Sequence, residues 1–377
     1  MKDDPLSFKV LNVFNDFLHL PIVDDLIWHL YHIIRLLLCP LGAIGVLLSF
    51  LIKLCSGAFI TRFEAPKGRA ILVTGCDSGF GCDFSLSLVK KGWKVYAGCL
   101  TPQGVAALQT RAAGSAGTMI ALPMDVTKQA DIDRMVKKIK EECPKKLFAV
   151  VNNAGVGQGG LVDWTPLESY RKTLEVNLFA MIAVCKACLP LLKESKGRIV
   201  NVTSIAGIFY GAPCMSAYAA SKHAAEAFTT SLRFEMEGWG IKVITINPSF
   251  HRTQIATGAA ATLKTSYDAL DDVTKAEYGP EYLAAVQRLT SDHTDGCWDP
   301  SHVVNALMKA TTAVMPRTQY IVGADATFYL LPLMNLPTPV VEKLMTVSLL
   351  KELVPAREKA ALALQKNAKG KEGKKTK

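Results

Sequence analysis

Tyr218 and Lys222 stand four residues apart in a run of small, helix-tolerant residues, Ser216-Ala-Tyr-Ala-Ala-Ser-Lys222. On a helix that spacing stacks the two side chains on one face. An ammonium beside a phenol favours the phenolate. The pair therefore predicts a tyrosine whose pKa falls below its usual value of about 10 and which works as a general base near neutrality. Upstream, Arg198-Ile-Val-Asn-Val-Thr203 has the pattern of an apolar strand. Ser204 at its end offers a hydroxyl to hold a substrate oxygen while Tyr218 moves the proton. Taken alone, a Tyr-x-x-x-Lys spacing reads more readily as an exposed helical pair.

Other stretches keep it company. Ala70-Ile-Leu-Val-Thr74 suits a buried parallel strand, and Thr74-Gly-Cys-Asp-Ser-Gly-Phe-Gly81 follows it. These glycines allow a tight turn and close backbone approach to a pyrophosphate, and a helix over 80–91 would turn its N-terminus to that charge. Leu147 to Val151 forms another apolar run, with Asn152-Asn153-Ala154-Gly155 at its end. Further strands are expected at Lys94–Cys99, Lys242–Ile246 and Gln319–Gly323, and a helix at 301–312.

In order and spacing these stretches resemble the TGxxxGxG, NNAG and YxxxK motifs of the short-chain dehydrogenases/reductases, over residues 68 to 330. The resemblance implies an α/β fold, a Rossmann-type doubly wound parallel sheet in a single domain (68–325), and an oxidoreductase acting on CH–OH groups with NAD or NADP. It further implies a catalytic tetrad of Asn177, Ser204, Tyr218 and Lys222. Cofactor contacts would come from Thr74, Gly75, Ser78, Gly79, Phe80 and Gly81, from Asp125 and Val126 at the adenine, and from Asn153, Ala154 and Gly155. Tyr218 and Lys222 would hold the ribose, with Pro248 and Thr253 beside the nicotinamide. Two of these residues have plainer readings: Asp125 as the N-cap of the next helix, and Asn177 as a packing residue.

The sequence departs from the family at two points. Many NAD-binding members end the second strand with an acid, where this chain has Cys99-Leu100-Thr101. Yet no cation for a 2′-phosphate lies at 76–81 or 98–105, and Asp77 would repel one, so NAD is expected over NADP. Ser249 replaces the usual glycine after Pro248, which puts the geometry of that turn in question. His251 reads as a wall or surface residue, since the tetrad needs no further base. Cys185-Lys-Ala-Cys188 has redox or metal spacing but no partner cluster, so no metal is expected.

The chain has 377 residues, half of them hydrophobic, and a net charge of +10. Lys366 to Lys377 holds six lysines and one glutamate, so the excess describes a tail (356–377) and not a nucleic-acid surface. The ten cysteines are scattered, which favours reduced thiols. An N-terminal extension, 1–35, is too rich in Asp for a mitochondrial presequence. Leu36 to Ile52 is almost wholly apolar between Arg35 and Lys53. As a helix this run spans about 25 Å and, lengthened by flanks to residue 60, it predicts a transmembrane anchor; the alternative is a buried or interfacial helix pair. Basic residues after it place the enzyme domain in the cytosol. The apolar stretch 326–355, broken by Pro332, Pro337 and Pro339, would dock on a membrane or contact a second copy in a homodimer. Lys374 and Lys375 resemble the dilysine retrieval signal of endoplasmic-reticulum membrane proteins.

Within the family the glycine-rich turn and Ala97-Gly-Cys-Leu-Thr101 look most like the retinol, 17β-hydroxysteroid and D-3-hydroxybutyrate dehydrogenases. The expected substrate is an apolar alcohol or ketone: a retinoid, steroid or similar lipid. A small hydroxy acid is the alternative, as is a catalytically silent, membrane-tethered relative that binds lipid or a partner. An irregular helical region from Ile255 to Trp298, with Tyr267, Tyr278, Tyr282 and Trp298, would cover the substrate.

Overall fold

The computed structural model describes residues 62–349 apart from 158, 210–212, 254, 256–257 and 296, together with 353 and 358. The predicted anchor at 36–60, the N-terminal extension and nearly all of the basic tail lie outside the described residues. Contacts divide the chain into two compact units. The larger, 61–330 with 345–377, contains all the strands described below.

Strand and helix alternate from the start: β1 (Ala70–Thr74), α1 (Gly79–Lys90), β2 (Lys94–Cys99), α2 (Pro102–Ala112), β3 (Thr118–Pro123), α3 (Gln129–Glu142) and β4 (Leu147–Asn152). Then follow α4 (Leu167–Leu174), a π-helical turn at Glu175–Phe179, α5 (Ala180–Ser195), β5 (Arg198–Val202), α6 (Ser216–Glu237) and β6 (Lys242–Pro248). Helices α7 (Ala259–Asp268), α8 (Asp272–Tyr278), α9 (Pro280–Asp295) and α10 (Ser301–Thr312) precede β7 (Gln319–Val322). The seven strands form one parallel sheet in the order β3-β2-β1-β4-β5-β6-β7.

The sheet is covered on both faces, which is why its central strands are unbroken apolar runs. Along β1, Ile71 and Val73 point to one layer, with Phe84 and Leu88 of α1 and Val303 and Leu307 of α10. Ala70 and Leu72 point to the other, with Ile132 of α3, Val184 and Cys188 of α5 and Ala225 of α6. The order reverses between β1 and β4, so a crevice opens at the carboxyl ends of these strands, where ligands bind in such sheets.

Among the described residues one helical stretch, Leu167–Ser195, is long and apolar enough to cross a membrane. It is a core helix: Met181, Val184, Cys185, Cys188 and Leu192 are buried in the layer beneath the sheet. Burial drives the Cys185 thiol up to about 12. This pair is core packing, and among the described residues no cluster of His, Cys, Asp or Glu is placed to hold a metal.

Beyond β7 come a π-helical turn at Ala326–Leu330, the short α11 (Leu331–Leu333) and α12 (Thr338–Leu349). Pro332, Pro337 and Pro339 divide the apolar stretch accordingly, because proline suits a first turn but breaks a helix interior.

Candidate active site

The glycine-rich turn after β1 is built around one left-handed residue and one close approach. Gly79 has φ +59 and open space where a Cβ would point. Gly81 allows no side chain, since a Cβ would come within 2.3 Å of the Gly75 carbonyl. Beneath the turn, the Thr74 hydroxyl accepts from the backbone N–H groups of Asn153 and Ala154, each at 3.1 Å. Asn153 Nδ2 donates back to the carbonyls of Thr74 (3.0 Å) and Gly75 (2.9 Å). The turns after β1 and β4 are thus tied together. The first turn of α1 has neither a side-chain cap nor an acidic residue, which leaves its N-terminal dipole available to an anion.

A cleft of about 1310 Å³ runs over these turns. Gly75, Ser78, Gly79, Phe80, Asp125, Val126, Asn153, Ala154, Gly155, Ser204, Tyr218, Lys222, Pro248 and Thr253 all line it. Of the cofactor residues expected from sequence, Thr74 and Gly81 lie beneath the wall. Their work is to shape the two turns. Asn177 also stands behind the lining, fully buried.

At one end of the cleft two carboxylates face the space. Asp77 accepts from the backbone of Leu100 (2.7 Å) and from the backbone and hydroxyl of Thr101 (2.9 and 2.8 Å). It thereby delivers an acid to the end of β2, where the sequence has none. Asp125 accepts from the backbone and hydroxyl of Thr127 at 3.0 and 2.7 Å. It is not the N-cap of α3; Lys128 occupies that position.

At the other end, α6 carries Tyr218 and Lys222. The ammonium lies 5.6 Å from the centre of the Tyr218 ring and donates to the Val202 carbonyl at 3.1 Å. Here the sequence expectation needs correction. Burial pushes the Tyr218 phenol up, against a smaller lowering by Ser204. Burial also brings Lys222 down to about 8, opposed by the charge of Glu226. Desolvation outweighs the pairing because Lys222 is buried and Tyr218 is packed into the cleft wall.

The Ser204 hydroxyl accepts from the Ala206 N–H at 3.1 Å and reaches the Pro248 carbonyl at 3.4 Å. Asn177 lies in the π-helical turn. Its amide is committed to the Val156 backbone at 2.8 and 3.0 Å and to Ser221 at 2.9 Å. Ser249 fits without strain. Its φ is outside the left-handed region, and its hydroxyl donates to Asp325 at 2.7 Å. His251 is a buried wall residue whose Nδ1 meets the Ser249 carbonyl at 3.1 Å.

The aromatic residues of the covering helices do not line the cleft. Tyr267, Tyr278 and Tyr282 pack edge-on around Trp164, with ring centres 5.2, 5.2 and 6.0 Å away. Trp298 donates to Asp325 at 2.7 Å. Apolar lining of the cleft comes instead from Ile205, Phe209, Met215, Leu263, Leu289 and Met345. These positions are scattered over separate elements, so no sequence period marks them. Glu226 was also missed, although it continues the Tyr218–Lys222 spacing by another four residues. Its carboxylate accepts from Thr203 and Asn247.

Comparison with known proteins agrees with this geometry. The sequence pattern described as short chain dehydrogenase matches residues 69–264. Retinol dehydrogenase 16 of Rattus norvegicus is 37% identical over 285 residues, 74% of this chain and 88% of the relative. 17-beta-hydroxysteroid dehydrogenase type 6 of Bos taurus is 36% identical over 290 residues, 75% of this chain and 89% of the relative. Mitochondrial D-beta-hydroxybutyrate dehydrogenase of Rattus norvegicus is 32% identical over 271 residues, 70% and 79% respectively. Among solved structures, a short chain dehydrogenase/reductase from Burkholderia phymatum in complex with NAD superposes with a TM-score of 0.59 at 23% identity. That match covers 72% of this chain and 94% of the other.

Proposed function

The chain belongs to the short-chain dehydrogenase family, and from that premise we propose that it oxidises the hydroxyl of an apolar lipid-like alcohol, a retinoid or steroid, with NAD as hydride acceptor. The observation that carries this reading is the stripe of α6 that brings Tyr218 and Lys222 to a cleft with Ser204, beneath a wall of aliphatic, phenylalanine and methionine side chains.

The residues present fit a dinucleotide. The uncapped start of α1 and the open side of Gly79 suit a pyrophosphate. Asp77 and Asp125 at the far end suit ribose hydroxyls and adenine, and the carboxylate of Asp77 disfavours a 2′-phosphate. A bound nicotinamide supplies the hydride acceptor. The chain's own residues do the rest. Ser204 holds the substrate oxygen, and Tyr218 takes its proton. Lys222 steadies the phenolate as it forms. The amide of Asn177 is committed, so any proton relay through this residue uses its backbone carbonyl.

A small hydroxy acid would need a cation beside Ser204 and Tyr218 to hold its carboxylate. Arg171 and Lys172 line the cleft from α4, but both are exposed, and Arg171 faces Glu168 at 3.4 Å. An apolar substrate matches the wall better. The relatives named for retinol and hydroxysteroid support the same choice. The apolar segment 36–52 supports a membrane-tethered enzyme.

Tyr218→Phe tests the chemistry, since it removes the base and keeps the ring. Turnover of a retinol or hydroxysteroid panel should fall at least about a hundredfold, with NADH binding retained. Parent-like turnover would overturn the assignment of the base. Catalytic efficiency with NAD should exceed that with NADP on the same alcohol; the reverse order would rule out the role given to Asp77.

A further inference from the structure

Tyr218, Lys222 and Glu226 succeed one another at intervals of four along α6, forming one stripe of the helix. Tyr218 and Lys222 have parts in the reaction proposed above; Glu226 has none so far. Its half-buried carboxylate accepts hydrogen bonds from the Thr203 hydroxyl and the Asn247 amide. Asn247 Nδ2 also reaches Thr203 Oγ1 at 2.8 Å and the Ser204 carbonyl at 3.3 Å. Its Oδ1 accepts from Gln319 of β7 at 2.9 Å.

Thr203 and Asn247 are buried and adjoin Ser204 and Pro248 in the chain. Ser204 and Pro248 are themselves joined through the Ser204 hydroxyl. One carboxylate therefore ties the carboxyl ends of β5 and β6 to the helix that bears the tyrosine. Lys222, one turn before Glu226, donates to the carbonyl of Val202, the last residue of β5.

Resting on the dehydrogenase reading above, we propose that Glu226 is a positioning residue for the reaction. Its hydrogen bonds fix Ser204 opposite Tyr218, and its negative charge supports the Lys222 ammonium. Neither role requires contact with substrate. Tyr218 and Glu226 come from the same helix as Lys222, and the uncharged carbonyl of Val202 meets its ammonium from the strand packed against that helix. Among the described residues Glu226 supplies the charge that raises the affinity of Lys222 for its proton, while burial lowers it.

The test follows NADH binding by nicotinamide fluorescence against pH, alongside alcohol oxidation, for the parent, Glu226→Gln and Thr203→Val. Lys222 helps hold the cofactor in this reading, so affinity should fall as pH rises through the loss of its proton. In Glu226→Gln that fall should begin about 1 pH unit lower. Its kcat should drop about tenfold with little change in KM, the signature of a group acting on the chemical step. Thr203→Val keeps the charge and removes one hydrogen bond, so kcat should fall while the pH dependence of binding stays with the parent.

A merely structural glutamate would lower the melting temperature and leave the pH dependence in place. That result for Glu226→Gln overturns the proposal. A shifted pH dependence in Thr203→Val overturns the role given to the charge. If Glu226→Gln does not fold, Glu226→Asp replaces it. With charge kept and reach shortened, kcat should fall at an unchanged pH dependence, and undiminished kcat would overturn the clamp. A parent that oxidises no alcohol yet shows the shifted NADH binding in Glu226→Gln would sink the reaction and leave the positioning role standing.

Discussion

At the residue scale the site stores free energy against its own fold. Lys222 is buried, and its pKa is brought from 10.5 to about 8. Below pH 8 the ammonium is charged in the folded and unfolded chains alike, and the folded state bears the cost of desolvation. Between pH 8 and 10.5 the folded state releases its proton first. The unfolded chain then binds more protons, so stability rises with pH in that window. Lys222→Met should therefore melt higher than the parent at pH 7, by about 1 kcal/mol or more after loss of the bond to Val202. The difference should shrink as pH climbs from 8 to 10, and turnover should be lost throughout. Urea unfolding at several pH values reads this directly; a variant less stable at pH 7 would show that Lys222 serves the fold. The sequence made Tyr218 and Lys222 legible as a pair through their spacing. It could not show the burial that reverses the expected shift of the phenol, because desolvation depends on what the fold stacks against them.

At the element scale, strand and helix existence were legible wherever an apolar run was bounded by glycine, proline or charge. β1, β2 and α10 fall where the residues predict them. β3 is an edge strand with a weak pattern, its residues partly exposed, and alternation that incomplete does not announce a strand. The covering helices were legible as helices, but not in the direction their tyrosines point, since Trp164 collects them away from the cleft. One tie between elements was wholly unforeseen. Arg198, at the start of β5, is buried and donates to the carbonyls of Ala310 and Thr311 at 3.2 and 2.7 Å. Its guanidinium lies 4.8 Å from the Phe148 ring centre. It closes the last turn of α10 at the end of the sheet remote from Tyr218, and burial lowers its pKa to about 10. Arg198→Met would leave two carbonyls without their donor, so it should cost about 2 kcal/mol in urea unfolding. Per folded molecule, KM and kcat should be unchanged. Impaired turnover in the folded variant would mean that this end of the sheet is coupled to the site.

At the scale of the whole molecule, we propose that the chain is anchored in a membrane with its cleft on the cytosolic side. Leu36 to Ile52 is short for a span, which favours a thin bilayer such as that of the endoplasmic reticulum. Lys53, Arg62, Lys67 and Arg69 follow it, while Arg35 alone immediately precedes it, and such an excess stays on the cytosolic side. The proposed retrieval role of Lys374 and Lys375 works only in a cytosolic tail, so it calls for the same topology. Protease added to sealed microsomes should therefore digest the catalytic domain, and alkaline carbonate should leave the protein in the membrane. Full protection of the domain would reverse the topology, and release by carbonate would remove the anchor. Lys374→Ser with Lys375→Ser separates the two signals. If retrieval holds the protein in the reticulum, the double variant should leave it while keeping its carbonate resistance and its protease sensitivity. Unchanged reticular residence would assign localisation to the anchor and leave the tail a solvated run of charge.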